Sequence, residues 1–363
     1  MCKLDNCNLM KKKLVFLIHT EYHLLLAIYY LYSNKYLFSD KFENTFLLNA
    51  GSKSKRLGKH IDFKSLPIKI EHLDIGKVCN NPISNELKQM INKLSNQEIH
   101  EFVFFQEQDY FAVIMLRLFR NEKTVINLFQ DGLKPYIAES LKFTPSLHLT
   151  DFKINRYIHK NGFKVNDWLS SFKCHKYGFL KGVDNIYLTF PDAFPRKHKK
   201  NIVTLDFKIT PELLKIYQNI FNWKDEFLPY RENIIFFMNQ PMRDDGSFDL
   251  YILNKLKKKY PQYPIVIKNH PHTPKEKIKM YESIDDCIII DSKIPAELFI
   301  ATLRNSLILS VCSTAMFVDN PDCKFHYLFN IQENNNIDRL DKYTVINPTS
   351  HVLVPETIEE ITF

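Results

Sequence analysis

Short apolar runs separated by amphipathic stretches recur along this chain in two series. In the first, residues 14–18 predict a strand, residues 22–33 a helix and residues 44–48 and 101–105 two further strands. Residues 111–120 then predict a helix, and residues 124–129 a strand ending in "QDG". In the second, strands are expected at residues 233–238, 265–267, 288–290 and 307–310, with helices at 248–259 and 295–303. A run of β-branched and aromatic residues without polar alternation is what a strand covered on both faces needs, and strands alternating with helices pair in parallel. The pattern predicts an α/β chain of two halves. A Pro- and Lys-rich passage, "TFPDAFPRKHKKN", stands between the two series and suits a linker or an exposed loop. Two domains are therefore expected, residues 1–200 and 201–363, each presenting the carboxyl ends of its strands to a cleft between them.

Composition narrows the function. A length of 363 residues accommodates two domains of ordinary size, and 45% hydrophobic with 25% charged residues describes a chain with a full core. There are only 8 glycines, with no G-x-G-x-x-G and no G-x-x-x-x-G-K-[ST], which excludes glycine-loop dinucleotide sites and P-loops. The net charge of +8 points to an acidic partner. Its basic clusters, at 11–13, 195–200 and 255–260, are either solvated faces or contacts to a membrane surface or acidic ligand. No nucleic-acid motif accompanies them, so no nucleic-acid partner is expected. Seven cysteines without a C-x-x-C pair read as reduced thiols of a cytoplasmic protein. The stretch "MKKKLVFLIHTEYHLLLAIYYLY" superficially imitates a signal peptide, but "HTEYH" interrupts it, so strand, loop and helix is the better reading. Residues 1–9 carry no pattern, which makes Met10 a candidate alternative start.

Four short motifs sit where strands should end. In "LFQDGL", Asp131 follows a buried strand and precedes Gly132; it is either a general base for a hydroxyl or the first half of an Asp-Gly turn. In "IKNHPHTP", Lys268 and His270 can meet an anionic group, with Pro271 restricting the backbone. His270 and His272 could alternatively ligate a metal, although no third ligand of suitable spacing is visible; a surface turn is the remaining reading. In "SLILSVCSTAMF", Ser313 and Thr314 precede an apolar helix, as phosphate ligands at its N-terminus or as plain caps. In "IPAELF", Glu297 lies in a first helical turn, as a dipole-stabilising carboxylate or an acceptor for sugar hydroxyls. His19, Thr20 and His23 of "HTEYH" follow the first strand and are expected to line the cleft there. No D-x-D is present to hold a divalent ion beside a nucleotide diphosphate.

The order "QDG", then "HP", a Pro-plus-Glu helix start and "ST", with "FFMNQP" closing the second half's first strand, resembles the bacterial sialyltransferases of GT-B architecture. It is most similar to the family 52 lipooligosaccharide and capsule enzymes and their polysialyltransferase relatives. Their marks are an acidic [DE]-[DE]-G motif, an HP motif and a paired Ser/Ser-or-Thr motif. The resemblance implies two Rossmann-like domains across a cleft, acceptor-side first and nucleotide-sugar-binding second. It implies inverting, metal-independent transfer of sialic acid from CMP-sialic acid to a glycan or glycolipid hydroxyl, without a cofactor. Asp131 would be the base and His270 would meet the departing phosphate. Ser313 and Thr314 would hold that phosphate, Glu297 would take ribose hydroxyls, and Asn239, Gln240 and Lys268 would line the nucleotide side. His19, Thr20, His23 and Gly132 would belong to the acceptor side. A glycolipid acceptor implies peripheral attachment at the inner membrane face. The alternatives are another activated sugar on the same fold, CMP-Kdo or a nucleotide-diphosphate sugar, or a non-catalytic glycan-binding protein of capsule assembly. One departure stands out: the family's first acidic position is Gln130 here.

Overall fold

A computed structural model describes residues 12–39, 42–49, 57, 61–66, 70–74, 85–107, 110–120, 123–136, 156, 159–160, 177–178, 180, 182–194, 200–224, 228–240, 246–270, 273–290, 293–333 and 347–363. Two compact units are present. The first comprises Met1–Asp131, Ser140–Leu188 and Lys197–Val203; the second comprises Gly132–Glu139, Thr189–Arg196 and Thr204–Phe363. Two short segments from the first 200 residues thus pack with the second unit, and the chain passes from one unit to the other directly after Asp131.

The first unit contains strands β1 (Lys12–Ile18), β2 (Phe42–Asn49), β3 (Ile70–Asp74), β4 (Glu101–Phe104), β5 (Val125–Phe129), β6 (Asn185–Leu188) and β7 (Asn201–Thr204). They form one sheet in the order β3-β2-β1-β4-β5-β6-β7, and β1 to β6 pair in parallel. Residues 14–18 of β1 are wholly buried, as are Leu24–Ala27 on the helix Glu21–Ser33 that follows. Each such Val, Leu, Ile or Phe side chain contributes about 1.5–3 kcal/mol of burial, so the central strand and its helix form much of this core.

The second unit contains β8 (Ile235–Met238), β9 (Ile265–Lys268), β10 (Cys287–Ile290), β11 (Ser306–Ser310), β12 (Cys323–Tyr327) and β13 (Val352–Leu353). Its sheet runs β10-β9-β8-β11-β12-β13 and is parallel throughout. Strands β8, β9 and β11 are buried along their whole length, which is why they read as unbroken apolar runs. In both sheets the strand order reverses once, between β1 and β4 and between β8 and β11. That is the doubly wound order, in which ligands bind outside the carboxyl ends of the strands at the reversal. The alternating α/β pattern of the sequence is thus realised twice.

Two expectations need correction. Residues 295–303 predict a helix, but the helix is only Ala296–Ile300, five residues long. Directly after Ser313 no α-helix forms. Thr314–Phe317 is a single 3-10 turn, ended by Val318 with Pro321 just beyond. Pro271 and His272, residues 1–9 and most of the basic passage at 195–200 lie outside the described residues.

Candidate active site

In the first unit the site is built around His23. Thr20 caps the helix Glu21–Ser33, its hydroxyl accepting from the His23 N–H at 3.2 Å. The His19 N–H donates to His23 Nδ1 at 3.1 Å. A nitrogen accepting a backbone N–H carries no proton, so the hydrogen of the neutral ring sits on Nε2. Nε2 lies 3.0 Å from Asp131 Oδ1 and therefore donates to it. Geometry alone would permit an ion pair here, but an imidazolium would set a second N–H against that of His19. The contact is a hydrogen bond from a neutral imidazole to a carboxylate. His23 is completely buried and stacks on Phe105, centroids 4.2 Å apart and planes within 4°. The imidazole therefore has no freedom to leave Asp131, which is half-buried at the end of β5.

The neighbouring positions are equally constrained. His19 is buried with its ring edge-on to His23. Gln130 is buried and donates Nε2–H to the Tyr22 hydroxyl at 2.8 Å. Where the resembling family has a carboxylate, this chain therefore carries a neutral amide fixed to the first helix. Gly132 has φ +62°, the left-handed region that glycine adopts without strain. A Cβ there would lie 3.5 Å from Thr314 Cγ2, an ordinary contact, so the backbone and not space requires glycine. The segment after it is anchored by Tyr136, which is buried and packs edge-on against Phe317 and Phe190. Gly132 and Thr314 thus lie side by side within the second unit.

In the second unit the motif residues gather at the carboxyl ends of β8, β9 and β11. His270, half-buried, follows β9; its backbone N–H donates to Asn239 Oδ1 at 2.7 Å, and Thr273 N–H returns to its carbonyl at 2.9 Å. Asn239 is buried, so its contribution is to hold this turn, while Gln240 beside it is half-buried. Lys268 is buried and donates to the Asn269 carbonyl at 3.2 Å. Glu297, buried in the first turn after Pro295, has its carboxyl pushed up to about 7 by burial; its own N–H and the Lys268 charge act in the opposite direction. At neutral pH it therefore exists in both protonation states and can accept from or donate to a hydroxyl. Ser313 is half-buried and its hydroxyl caps the short turn, accepting from Ala315 N–H at 3.2 Å; Thr314 is also half-buried. The Tyr327 hydroxyl donates to the Ser313 carbonyl at 2.9 Å and fixes that loop from behind.

Sequence reasoning missed Phe105 and Tyr22, which pack on His23 and bond Gln130, and the buried group of Asp249, Lys277 and Tyr281. One signal was present: Asp249 falls on the buried stripe of its helix with Ile252, Leu253 and Leu256, where a charge needs a partner.

Two doubly wound parallel sheets define a GT-B-like fold, and solved structures support that class. The chain is similar to the GT-B domain of a sialyltransferase from Photobacterium damselae, with TM-score 0.52 and 13% identity over 94% of this chain and 99% of that one. It is also similar to the UDP-GlcNAc 2-epimerase of Methanocaldococcus jannaschii in complex with UDP-GlcNAc and UDP, with TM-score 0.56 and 12% identity over 96% and 90%. At these identities the likeness concerns the fold. The alpha-2,8-polysialyltransferase (POLYST) family matches residues 15–331, and the chain belongs to that family. It is a glycosyltransferase of the sialyltransferase class, an enzyme acting on a nucleotide sugar. No curated protein matches it in sequence.

Proposed function

We propose that this enzyme transfers sialic acid from CMP-sialic acid to a hydroxyl of a cell-surface glycan, lipooligosaccharide or capsule, with inversion and without a metal. The observation that carries the reading is the carboxylate of Asp131, held at a strand end by a neutral, buried His23. The family name adds the linkage: a terminal sialic acid, accepting at its 8-hydroxyl, is the acceptor to try.

The roles divide by unit. Asp131 takes the proton of the acceptor hydroxyl as that oxygen attacks the anomeric carbon, and His23 keeps the carboxylate aimed. The bond from the anomeric carbon to the phosphate oxygen breaks, and CMP leaves with the bonding electrons. His270 donates a hydrogen bond or proton to that oxygen, with Ser313 and Thr314 as further donors and Glu297 meeting the ribose. Such a reaction depends on positioning and on stabilising the leaving phosphate, and a lost general base costs about 10²–10⁴-fold. A half-buried carboxylate and a separate phosphate-binding turn match those needs.

A second reading is transfer from a nucleotide-diphosphate sugar, favoured by the fold shared with the UDP-GlcNAc-bound epimerase. Thermal shift with CMP, UDP, GDP and ADP separates the two. CMP alone should stabilise the protein, by about 2.7 kcal/mol at a hundredfold excess over its Kd. Stabilisation by UDP and not CMP supports the second reading. Peripheral attachment to an anionic membrane is part of the proposal. Among the described residues no helix is long and apolar enough to cross a membrane. Of the 255–260 cluster, Lys257 pairs with Asp286 and Lys259 donates to the Glu359 and Ile361 carbonyls, which leaves Lys255 and Lys258 as the lysines for that contact.

A further inference from the structure

Behind the turn that carries His270 runs a buried polar chain that sugar transfer, as described, does not use. Lys277 Nζ meets Asp249 Oδ2 at 2.8 Å, both side chains nearly inaccessible. The same carboxylate oxygen accepts from the Tyr281 hydroxyl at 2.5 Å. The Tyr281 oxygen receives Asn239 Nδ2 at 3.4 Å, and Asn239 Nδ2 also donates to Asn269 Oδ1 at 3.0 Å. Asn239 Oδ1 accepts from the His270 N–H at 2.7 Å and lies 3.0 Å from the Thr273 hydroxyl.

The bonding admits one orientation. A backbone N–H only donates, so the atom of Asn239 facing His270 is its oxygen. Both protons of that carboxamide are then committed, and its oxygen holds the His270 N–H and shares the single Thr273 hydroxyl proton with the His270 carbonyl, 2.8 Å from that hydroxyl. Asn269 follows: its oxygen faces Asn239, which leaves Nδ2 as a buried donor with no partner among the described residues. A ladder of charged and polar groups thus ends on the His270 backbone and on one unspent N–H beside it.

A core needing only stability has no use for this ladder. Replacing a buried ion pair by well-packed apolar residues is often neutral or stabilising, whereas breaking one partner is costly. The Lys277 side chain also packs closely against the start of the helix that carries Asp249. Gly246, with φ +81°, precedes the helix Ser247–Lys259, and a Cβ there would sit 3.2 Å from Lys277 Cγ. Lys277 and Tyr281 lie one turn apart on the helix Lys275–Tyr281, so both reach the same carboxylate.

We propose that Lys277, Asp249, Tyr281 and Asn239 form a positioning relay that fixes the His270 backbone and aims the Asn269 amide at an acceptor oxygen of the bound donor nucleotide. The functional half of this rests on His270 meeting the donor phosphate. Asp249 and Tyr281 act through Asn239 and touch no substrate themselves.

The test is Tyr281→Phe in the full chain, which removes one hydroxyl and keeps the ring in the core. Amide hydrogen exchange, read without ligand, should quicken at His270 by about five- to tenfold, the loss of roughly one net hydrogen bond. Val266 and Ile267 in the preceding strand β9 should keep their protection. Asn239→Leu, which deletes the acceptor itself, should give a larger change at the same amide. At saturating CMP-sialic acid, kcat of Tyr281→Phe should fall by a similar factor, with KM changed less than about twofold. Unchanged exchange at His270 overturns the relay, and so does a uniform rise across β9 and helix Ser247–Lys259, which marks general destabilisation. A local rise with unaltered kcat in an active enzyme overturns its positioning role. A local rise in a protein that neither binds CMP nor transfers leaves the relay standing and removes the sialyl-transfer reading instead.

Discussion

Two substitutions at His23 separate its two hydrogen bonds. An asparagine amide lies where Nδ1 was, so His23→Asn can still accept the His19 N–H but cannot reach Asp131. A glutamine amide lies where Nε2 was, so His23→Gln can still donate to Asp131 but loses the His19 bond. Both lose the stack on Phe105, worth about 0.5–1.5 kcal/mol, so their stabilities should fall together. A hydrogen bond to a charged group contributes about 1.5–3 kcal/mol. If that bond is what aims Asp131, His23→Asn should lower transfer about 10- to 100-fold at saturating donor, and His23→Gln several-fold at most. The assay is the initial rate of sialyl transfer to a sialylated acceptor, with melting temperatures confirming equal folding. Equal losses in the two variants, or an active His23→Asn, would refute the claim that His23 acts through Asp131.

Other outcomes follow from the same geometry. Glu297 has a folded pKa raised from 4.5 to about 7, so its contribution is favourable below pH 4.5 and is lost as pH rises through 7. Glu297→Gln should therefore gain stability relative to the parent over that window, by on the order of 3 kcal/mol; a difference between their melting temperatures that stays flat with pH would contradict this. Gly132→Ala should lose roughly 1–2 kcal/mol through its φ alone, since the added Cβ fits, and denaturant unfolding would reveal an unstrained site as no loss. Flotation with anionic liposomes should weaken on Lys255→Glu with Lys258→Glu and in high salt; binding indifferent to both would count against membrane attachment.

The strands buried on both faces were legible in the sequence, with β8, β9 and β11 displaced by two residues or fewer, because burial on two sides leaves no polar alternation to mislead; the half-buried edge strand β10, all apolar, was displaced by one. Several other strands were not. In β12, "CKFHY" carries Lys324 and His326, and β7 is half-exposed and begins at Asn201, the last residue of the passage read as a linker. The motif residues were legible as strand ends, since sheet topology places them there. Their supports were not. Whether Asp249 meets Lys277 or Tyr281 depends on how two helices pack over one sheet, and nothing local fixes that. The 3-10 turn after Ser313 shows the opposite limit: an apolar run predicts a helix, but only four residues fit before the chain turns into β12.

The claim on which the rest depends is that Asp131 is the base and His270 the phosphate group. Asp131→Asn and His270→Ala, compared with the parent in CMP titration and in initial transfer rate, test it together. Asp131→Asn should bind CMP nearly as well as the parent and transfer about 10²–10⁴-fold more slowly, whereas His270→Ala should lose CMP affinity as well as rate. Transfer by Asp131→Asn near the parental rate would contradict the account, because an Asn-Gly turn fits that backbone and only the lost base would distinguish the two proteins.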